Sequence, residues 1–331
     1  MSSHNLLWLQ PDWREQAHAW IHAVLEQRGL ALTGAIEQPH VRPWATVLRV
    51  PTTEGTMFFK ATAPSLVHEA ALTAALSHWR PDCMPVVLAS DAVRGWLLMR
   101  DAGEPLRTRV RAERDISRLL AAMPLYAELQ IDMVKRRAEL LALGAFDRRL
   151  QALPALYQRL LEDRAALMLD QPDGLTSAAY ERAQALAPRL RSLCDELASY
   201  GLPETLHHDD FHDGNTFERD GRIIFTDWGE SCVAQPFFSM VVALRSVAYS
   251  LDLTDDAPEL ARLRDAYLEP WTRYAPRERL LAAMRLTQWL GMLCRALTWY
   301  HVVSSLEGNA RAEYAETVPG WLQEFVDAAP I

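Results

Sequence analysis

The sequence predicts an α+β chain in two lobes: a small antiparallel-sheet lobe over residues 1–102 and a mostly helical lobe over residues 103–331. Three observations carry this. The first hundred residues hold short, β-rich runs around one inserted helical stretch. From Leu106 onward Leu, Ala and Met recur at three- and four-residue spacing, the period of an amphipathic helix. That helical tract is interrupted once, by a polar segment at 207–215 followed by a hairpin signal at Asp220-Gly221.

In order along the chain, Trp13 to Gln27 reads as a helix and Ala31 to Ile36 as a first β-run. Thr46 to Val50 and Thr56 to Lys60 flank the turn Pro51-Thr52-Thr53-Glu54-Gly55, so the two form a hairpin. Ser65 to Trp79 is Ala- and Leu-rich between Pro64 and Pro81, which frames a helix. Val86 to Ser90 and Trp96 to Arg100 supply two more strands. A seam near Gly103 separates this sheet from helices over Ile116–Leu143, Leu153–Leu169 and Ala178–Tyr200. Two short β-runs occupy Thr205–Glu230, and helical pattern resumes at Met240 and runs to the end.

Composition excludes several classes. With 331 residues, 50% hydrophobic and 23% charged, the chain can bury a full core and is not globally disordered. Its net charge of −9 argues against nucleic-acid binding, which cationic surfaces drive. Cys83, Cys194, Cys232 and Cys294 lie far apart and read as buried small hydrophobes rather than a zinc site or disulfide framework. The N-terminus has no basic, apolar leader pattern, and the most apolar late segment, Leu280 to Val303, is broken by Arg285 and Arg295. Two arginines would be costly in a bilayer. The expectation is a cytoplasmic protein with no membrane and no nucleic-acid partner; the sequence sets no oligomeric state.

The chemistry concentrates at 207–213, His-His-Asp-Asp-Phe-His-Asp, followed by Gly214 and Asn215. Twelve residues after Asn215, Asp227 ends the apolar run Ile223-Ile224-Phe225. A loop bearing His-x-Asp-x4-Asn, with a further Asp delivered by a strand end, suits phosphoryl transfer from ATP. One carboxylate orients the acceptor hydroxyl, while an amide oxygen and a second carboxylate hold Mg²⁺ on the phosphates.

These residues, His208-Asp209-Asp210-Phe211-His212-Asp213-Gly214-Asn215 and then Ile223-Ile224-Phe225-Thr226-Asp227-Trp228, resemble the aminoglycoside phosphotransferase and choline kinase-like family, relatives of the protein kinases. Its pattern is H-G-D-x-H-x-x-N followed by an I-I-D-W/F strand. The resemblance runs from about Trp44 to Met240 and implies a bilobal protein-kinase-like fold using ATP and Mg²⁺. It implies Asp210 as the catalytic aspartate, Asn215 and Asp227 as metal ligands, and His208 as a brace of the loop. Such kinases also need a strand lysine for the phosphates and a helix glutamate to hold it. Lys60 and, nine residues later, Glu69 stand in those places. Leu97 to Gly103 resembles the hinge between lobes, with backbone near Arg100 and Asp101 at the adenine edge and Met99 flanking the pocket.

The chain departs from that pattern in three places. No GxGxxG precedes Lys60, so the phosphate-covering turn falls at His40 to Trp44. Asp209 replaces the glycine of the H-G-D triplet. Ala234-Gln235-Pro236-Phe237-Phe238-Ser239 stands where the family often has G-D-P-x-x-D. His207 and His212 read as loop hydrogen-bonders, and Trp228, Trp289 and Trp299 as core or pocket wall. The implied enzyme is a phosphotransferase acting on an alcohol group of a small molecule. Two other classes fit parts of the sequence: a metal-dependent hydrolase using His207, His208, Asp209, Asp210 and His212 as ligands, and a nucleotide-binding pseudokinase. Between Gly201 and Met240 eight acids face two arginines. Asp209, Asp213 and Glu230 are left near the site, which predicts a polar, hydroxyl-bearing acceptor and leaves two readings of the acidity open: that it binds an amine on the acceptor, or that it only concentrates metal and solvates a loop.

Overall fold

The computed structural model describes residues 6–329. Residues 1–5, within the stretch read as lacking a leader, and the last two of the helical tract lie outside them.

Helix α1 (Pro11–Gln27) starts on a proline whose fixed φ suits a first helical turn. It buries Trp13, Ala17, Ile21, Val24 and Leu25, one helical stripe, against the sheet residues Leu48, Val50, Met57, Phe59, Trp96 and Leu98. The sheet consists of β1 (Glu37–Val41), β2 (Ala45–Thr52) and β3 (Gly55–Thr62), then, after helix α2 (Glu69–Trp79), β4 (Val87–Asp91) and β5 (Trp96–Arg100). Its order is β1-β2-β3-β5-β4, antiparallel throughout. The β2–β3 hairpin pairs Thr52 with Gly55, and Gly55 supplies the positive φ, +97°, that such a turn requires.

The expected first strand is displaced. Ala31–Ile36 makes only one bridge, Leu32 with Thr52, and the strand lies at Glu37–Val41. Leu32 and Ile36 pack on the lobe's core from an irregular segment, so their apolarity reports a covering loop rather than a pleat. The true strand is an exposed edge carrying Pro39, and the register shifts between Glu37 and His40. Proline cannot donate to a ladder, which confines it to edges and bulges.

The chain leaves the sheet at Gly103, with φ +94°. A Cβ there would lie 2.2 Å from the carbonyl oxygen of Glu218, so only glycine lets the connector pass. The helical lobe follows: β6 (Glu104–Pro105), α3 (Leu106–Glu113), α4 (Ser117–Met133), α5 (Arg137–Ala142), β7 (Phe146–Asp147), α6 (Leu153–Glu162) and α7 (Ser177–Ser199). Then come β8 (Thr205–His207), β9 (Thr216–Arg219), β10 (Arg222–Phe225), β11 (Cys232–Ala234), α8 (Ser239–Leu251), α9 (Pro258–Leu268), α10 (Arg277–Ser304), α11 (Gly308–Tyr314) and α12 (Thr317–Asp327). The helix expected over Ile116–Leu143 is two, parted by a tight turn at Val134–Arg136. The one expected over Leu153–Leu169 ends at Glu162; Leu167 is buried all the same, from a turn-rich stretch in which Met168, Asp170 and Asp173 take positive φ.

Two three-stranded sheets, β10-β9-β6 and β7-β11-β8, present the 207–227 segment to the cleft. The architecture is therefore bilobal α+β, as expected. No helix among the described residues is long and apolar enough to cross a membrane.

Candidate active site

Lys60 comes from β3. Met57, Phe59 and Ala61 point into the α1 core, and the period of two turns Phe58 and Lys60 to the cleft. Lys60 Nζ donates to Glu69 Oε1 and to Asp227 Oδ1, both at 2.6 Å. Burial alone would lower the lysine's pKa; the carboxylates of Asp227 and Glu69 outweigh it and raise it. Glu69, the first residue of α2, is buried and also accepts the backbone N–H of Trp228 at 3.1 Å. A Cβ on Gly229 would stand 2.9 Å from its Oε2, so that glycine gives the carboxylate room. Asp227 follows β10 in the left-handed region, φ 68°, and its side chain is half exposed to the cleft. Backbone held there is strained for a non-glycine residue, a feature common at functional sites.

The loop after β8 carries the rest. Asp210 Oδ1 accepts from Arg295 Nη2 at 2.7 Å, and Asp210 Oδ2 faces His212 Nε2 at 3.3 Å and Asn215 Nδ2 at 3.4 Å. Burial alone would raise the Asp210 pKa; Arg295 leads the groups that hold it well below the carboxylate range. Asn215 Nδ2 also donates to the Asp210 carbonyl at 3.1 Å, leaving Oδ1 as the atom available to a ligand. Thr226 N donates to the Asn215 carbonyl at 3.0 Å, which ties the loop to the strand delivering Asp227. His208 Nε2 donates to the Thr226 carbonyl at 2.9 Å, and burial lowers its pKa to about 4, so a neutral imidazole braces loop to strand. His212 Nδ1 accepts from the backbone N–H of Gly214 and Asn215 at 2.9 and 3.1 Å, which leaves the proton on Nε2, toward Asp210.

Lys60, Glu69, Met99, Arg100, Asp101, Asn215 and Asp227 line one cleft cavity of about 350 Å³, with His40 and Trp44 at its rim. Hollows of about 550 and 680 Å³ lie elsewhere and contain none of the motif residues. At the hinge the amides of Arg100 and Asp101 are engaged by the carbonyls of Val86 and Thr56, and the Arg100 guanidinium turns outward to Glu54. Ala102, next along and also lining the cavity, donates no backbone hydrogen bond among the described residues. The glycine-free turn after β1 is held differently from a flexible flap. Trp44 packs edge-on against Tyr314 and Trp299, with centroids 4.8 and 5.6 Å away.

Two expectations are corrected. Asp213 is not free for an acceptor: its carboxylate accepts from Arg107, Ser246 and Ser250 at 2.9, 2.7 and 2.8 Å. Asp209 is equally enclosed, bound by His207 Nε2 at 2.8 Å and Arg295 Nη1 at 3.3 Å. The hydrolase reading also loses its ligands. Both ring nitrogens of His207 are engaged, by Asp209 and Ser239, and His208 is turned to a carbonyl. Among the described residues the one group of three ligand atoms that converges is His207, Cys232 and Cys294, which omits the acids.

Arg295 was missed as a site residue, having counted only as a break in an apolar segment. It reaches the loop from α10, its side chain 7% exposed, and pairs with Asp209, Asp210 and Glu230. The available signal was the break itself, since an arginine on a helix's apolar face needs buried acids to pair with.

The donor set fits a small hard cation. Asn215 and Asp227 line the same cavity, and Asn215 Oδ1 and the Asp227 oxygen not taken by Lys60 are hard oxygens, as Mg²⁺ prefers.

Comparisons with known proteins extend this geometry. The choline/ethanolamine kinase family protein from Mesorhizobium loti is 16% identical, with 94% of each chain covered and a TM-score of 0.60. Choline kinase from Cryptosporidium parvum is 12% identical at a TM-score of 0.60, covering 94% of this chain and 95% of its own. A macrolide 2'-phosphotransferase from Brachybacterium faecium is 15% identical at 0.54, covering 92% and 97%. At such identities the likeness is one of fold. No curated protein matched by sequence. The model of the phosphotransferase enzyme family matches residues 40–278, well over half of the chain and the whole span from the β1 turn through Lys60 to Asp227. By that match the chain belongs to the phosphotransferase enzyme family.

Proposed function

We propose that this phosphotransferase moves the γ-phosphoryl group of ATP to a hydroxyl of a polar small molecule. The observation that carries the reading is Lys60 Nζ at 2.6 Å from both Glu69 and Asp227, opposite a loop bearing Asp210 and Asn215. In this reading residues 1–102 form the nucleotide-binding lobe and 103–331 carry the loop and the acceptor site. Met99 flanks the adenine, with the hinge backbone at Arg100 and Asp101, extended to the unengaged amide of Ala102, at its edge. Lys60, fixed by Glu69, takes the α- and β-phosphates. Asn215 and Asp227 would hold Mg²⁺, which neutralises charge on the β- and γ-phosphates when bound.

Asp210 orients the acceptor hydroxyl through Oδ2, because Arg295 holds Oδ1. The hydroxyl oxygen forms a bond to the γ-phosphorus as the bond to the ADP oxygen breaks, and the hydroxyl proton passes to Asp210. That transfer comes late, since a loose transition state needs little base strength. Asp209 and Asp213 are enclosed and Glu230 is held by Arg295, so none of the three acids expected to meet an amine is free, and the acceptor is defined by its hydroxyl. The test is an ATP-consumption screen over amino sugars, amino alcohols, neutral sugars, nucleosides and macrolides. Turnover with one class supports the reading. Zinc or manganese co-purifying in stoichiometric amounts without ATP affinity defeats it.

A further inference from the structure

The triplet departs from the resembling pattern at one residue, Asp209 in place of glycine, and the structure shows what that residue touches. Asp209 Oδ1 meets His207 Nε2 at 2.8 Å, and His207 Nδ1 meets Ser239 Oγ at 2.7 Å. Ser239 Oγ lies 2.7 Å from the Tyr126 hydroxyl, which accepts the backbone N–H of His208 at 3.1 Å. The other oxygen of Asp209 accepts from Arg295 at 3.3 Å. Arg295 also donates to Glu230, and the ring of Trp299 covers its guanidinium at 5.4 Å. With its Nη1 held by Asp209 and Glu230 and its face covered, the guanidinium turns Nη2 to Asp210 Oδ1 at 2.7 Å. The two contacts of Asp210 Oδ2 are longer, 3.3 and 3.4 Å. One oxygen is thus tethered by a charged donor and the other is left for a substrate.

We propose that Arg295 is a positioning residue for Asp210, and that Asp209 and Glu230 are the anchors that hold it. Arg295 lies beyond residues 40–278, the part of the chain that the family model matches. A glycine at 209 offers no carboxylate, so the guanidinium would lose one of its two anchors. The pairing also fixes geometry better than a lysine would, because one planar fork spans three carboxylates. The proposal rests on the phosphotransfer reading of Asp210. It goes beyond that reading by placing control of the carboxylate's orientation on a helix 85 residues away.

The test is a double-mutant cycle read by hydrolysis of Mg·ATP with water as the acceptor. Arg295→Met alone would strand buried acids, so it is combined with Glu230→Gln, and Arg295→Lys is made alongside. The expected result is Mg·ADP affinity and KM for ATP within a few-fold of the parent, with turnover down by about 10²-fold, the scale of a 1 Å misplacement. Arg295→Lys should recover part of the loss. Added to Asp210→Asn, the Arg295→Met/Glu230→Gln pair should cost nothing further, because it acts through Asp210. Additive losses, or full turnover in the Arg295→Met/Glu230→Gln protein, overturn the positioning role while leaving Asp210 in place. Full turnover in Asp210→Asn alone overturns the underlying reading.

Discussion

Lys60 and Asp227 stand 167 residues apart in sequence and meet at 2.6 Å across the cleft between the lobes. β3 turns Lys60 away from the α1 core, and Asp227, with its backbone in the left-handed region, meets it from the end of β10. Glu69 is the buried counterweight, and Asp227 is half exposed. A phosphate entering the cleft can therefore draw Lys60 from Asp227 without leaving Glu69 unpaired.

Lys60→Met leaves Glu69 as a buried carboxylate with no cation. Breaking a buried pair in this way costs about 3–5 kcal/mol, so chemical denaturation should show a loss of that order. Lys60→Met/Glu69→Gln should recover most of the stability, because the stranded charge is gone, and should recover none of the turnover. Recovery of both would show that the pair serves only the fold.

Asp227 and Asp210 should fail in different ways. Asp227→Ala removes a proposed metal ligand, so calorimetry with and without Mg²⁺ should show the metal-dependent part of nucleotide binding disappear. Asp210→Asn keeps the Arg295 and Asn215 contacts in outline and should spare nucleotide binding. Its turnover should fall by about 10²- to 10⁴-fold, the usual contribution of a positioned acid–base group. The assignment of roles is wrong if the two variants show the same defect.

The residues proposed to meet ATP could be named from the sequence because the chemistry demands particular types on local elements. Lys60 ends an apolar strand run, Glu69 opens the next helix, and Asp210, Asn215 and Asp227 share one loop and hairpin. What was illegible depends on partners far away in the chain. Asp213 looked like a free acid until Ser246 and Ser250 of α8 and Arg107 of α3 closed on it. Arg295 looked like a blemish in an apolar helix for the same reason. In the sheet, Ala31–Ile36 misled because burial on one side of a loop imitates strand alternation, while the polar, proline-bearing edge strand beside it carries no such pattern.

Gly103→Ala should weaken the hinge. It forces a side chain into a positive-φ position and against the Glu218 carbonyl. The backbone strain alone costs about 1–3 kcal/mol, and the clash must move β9 or the connector as well. The expected outcome is a lower denaturation midpoint together with weaker ADP binding, since Ala102 and Asp101 line the cleft beside it. Gly29→Ala is the control: it too has positive φ, +68°, but open space around it. It should lose stability without losing nucleotide.

The His207 network should make the protein lose stability as the solution turns alkaline. Burial alone would lower the His207 pKa, but the Asp209 carboxylate and the other partners around it reverse this and raise it to about 9. The unfolded value is near 6.5. A group raised on folding contributes stability that is fully present below the unfolded pKa and is lost as pH rises through the folded one. For His207 the window is therefore pH 6.5 to 9, and a shift of that size corresponds to about 3 kcal/mol. Denaturation free energies measured at pH 6, 7.5 and 9 should fall steadily in the parent. His207→Gln should remove most of that decline. A parent whose stability is flat from pH 6 to 9 would refute the assignment of a charged His207 beneath Asp209.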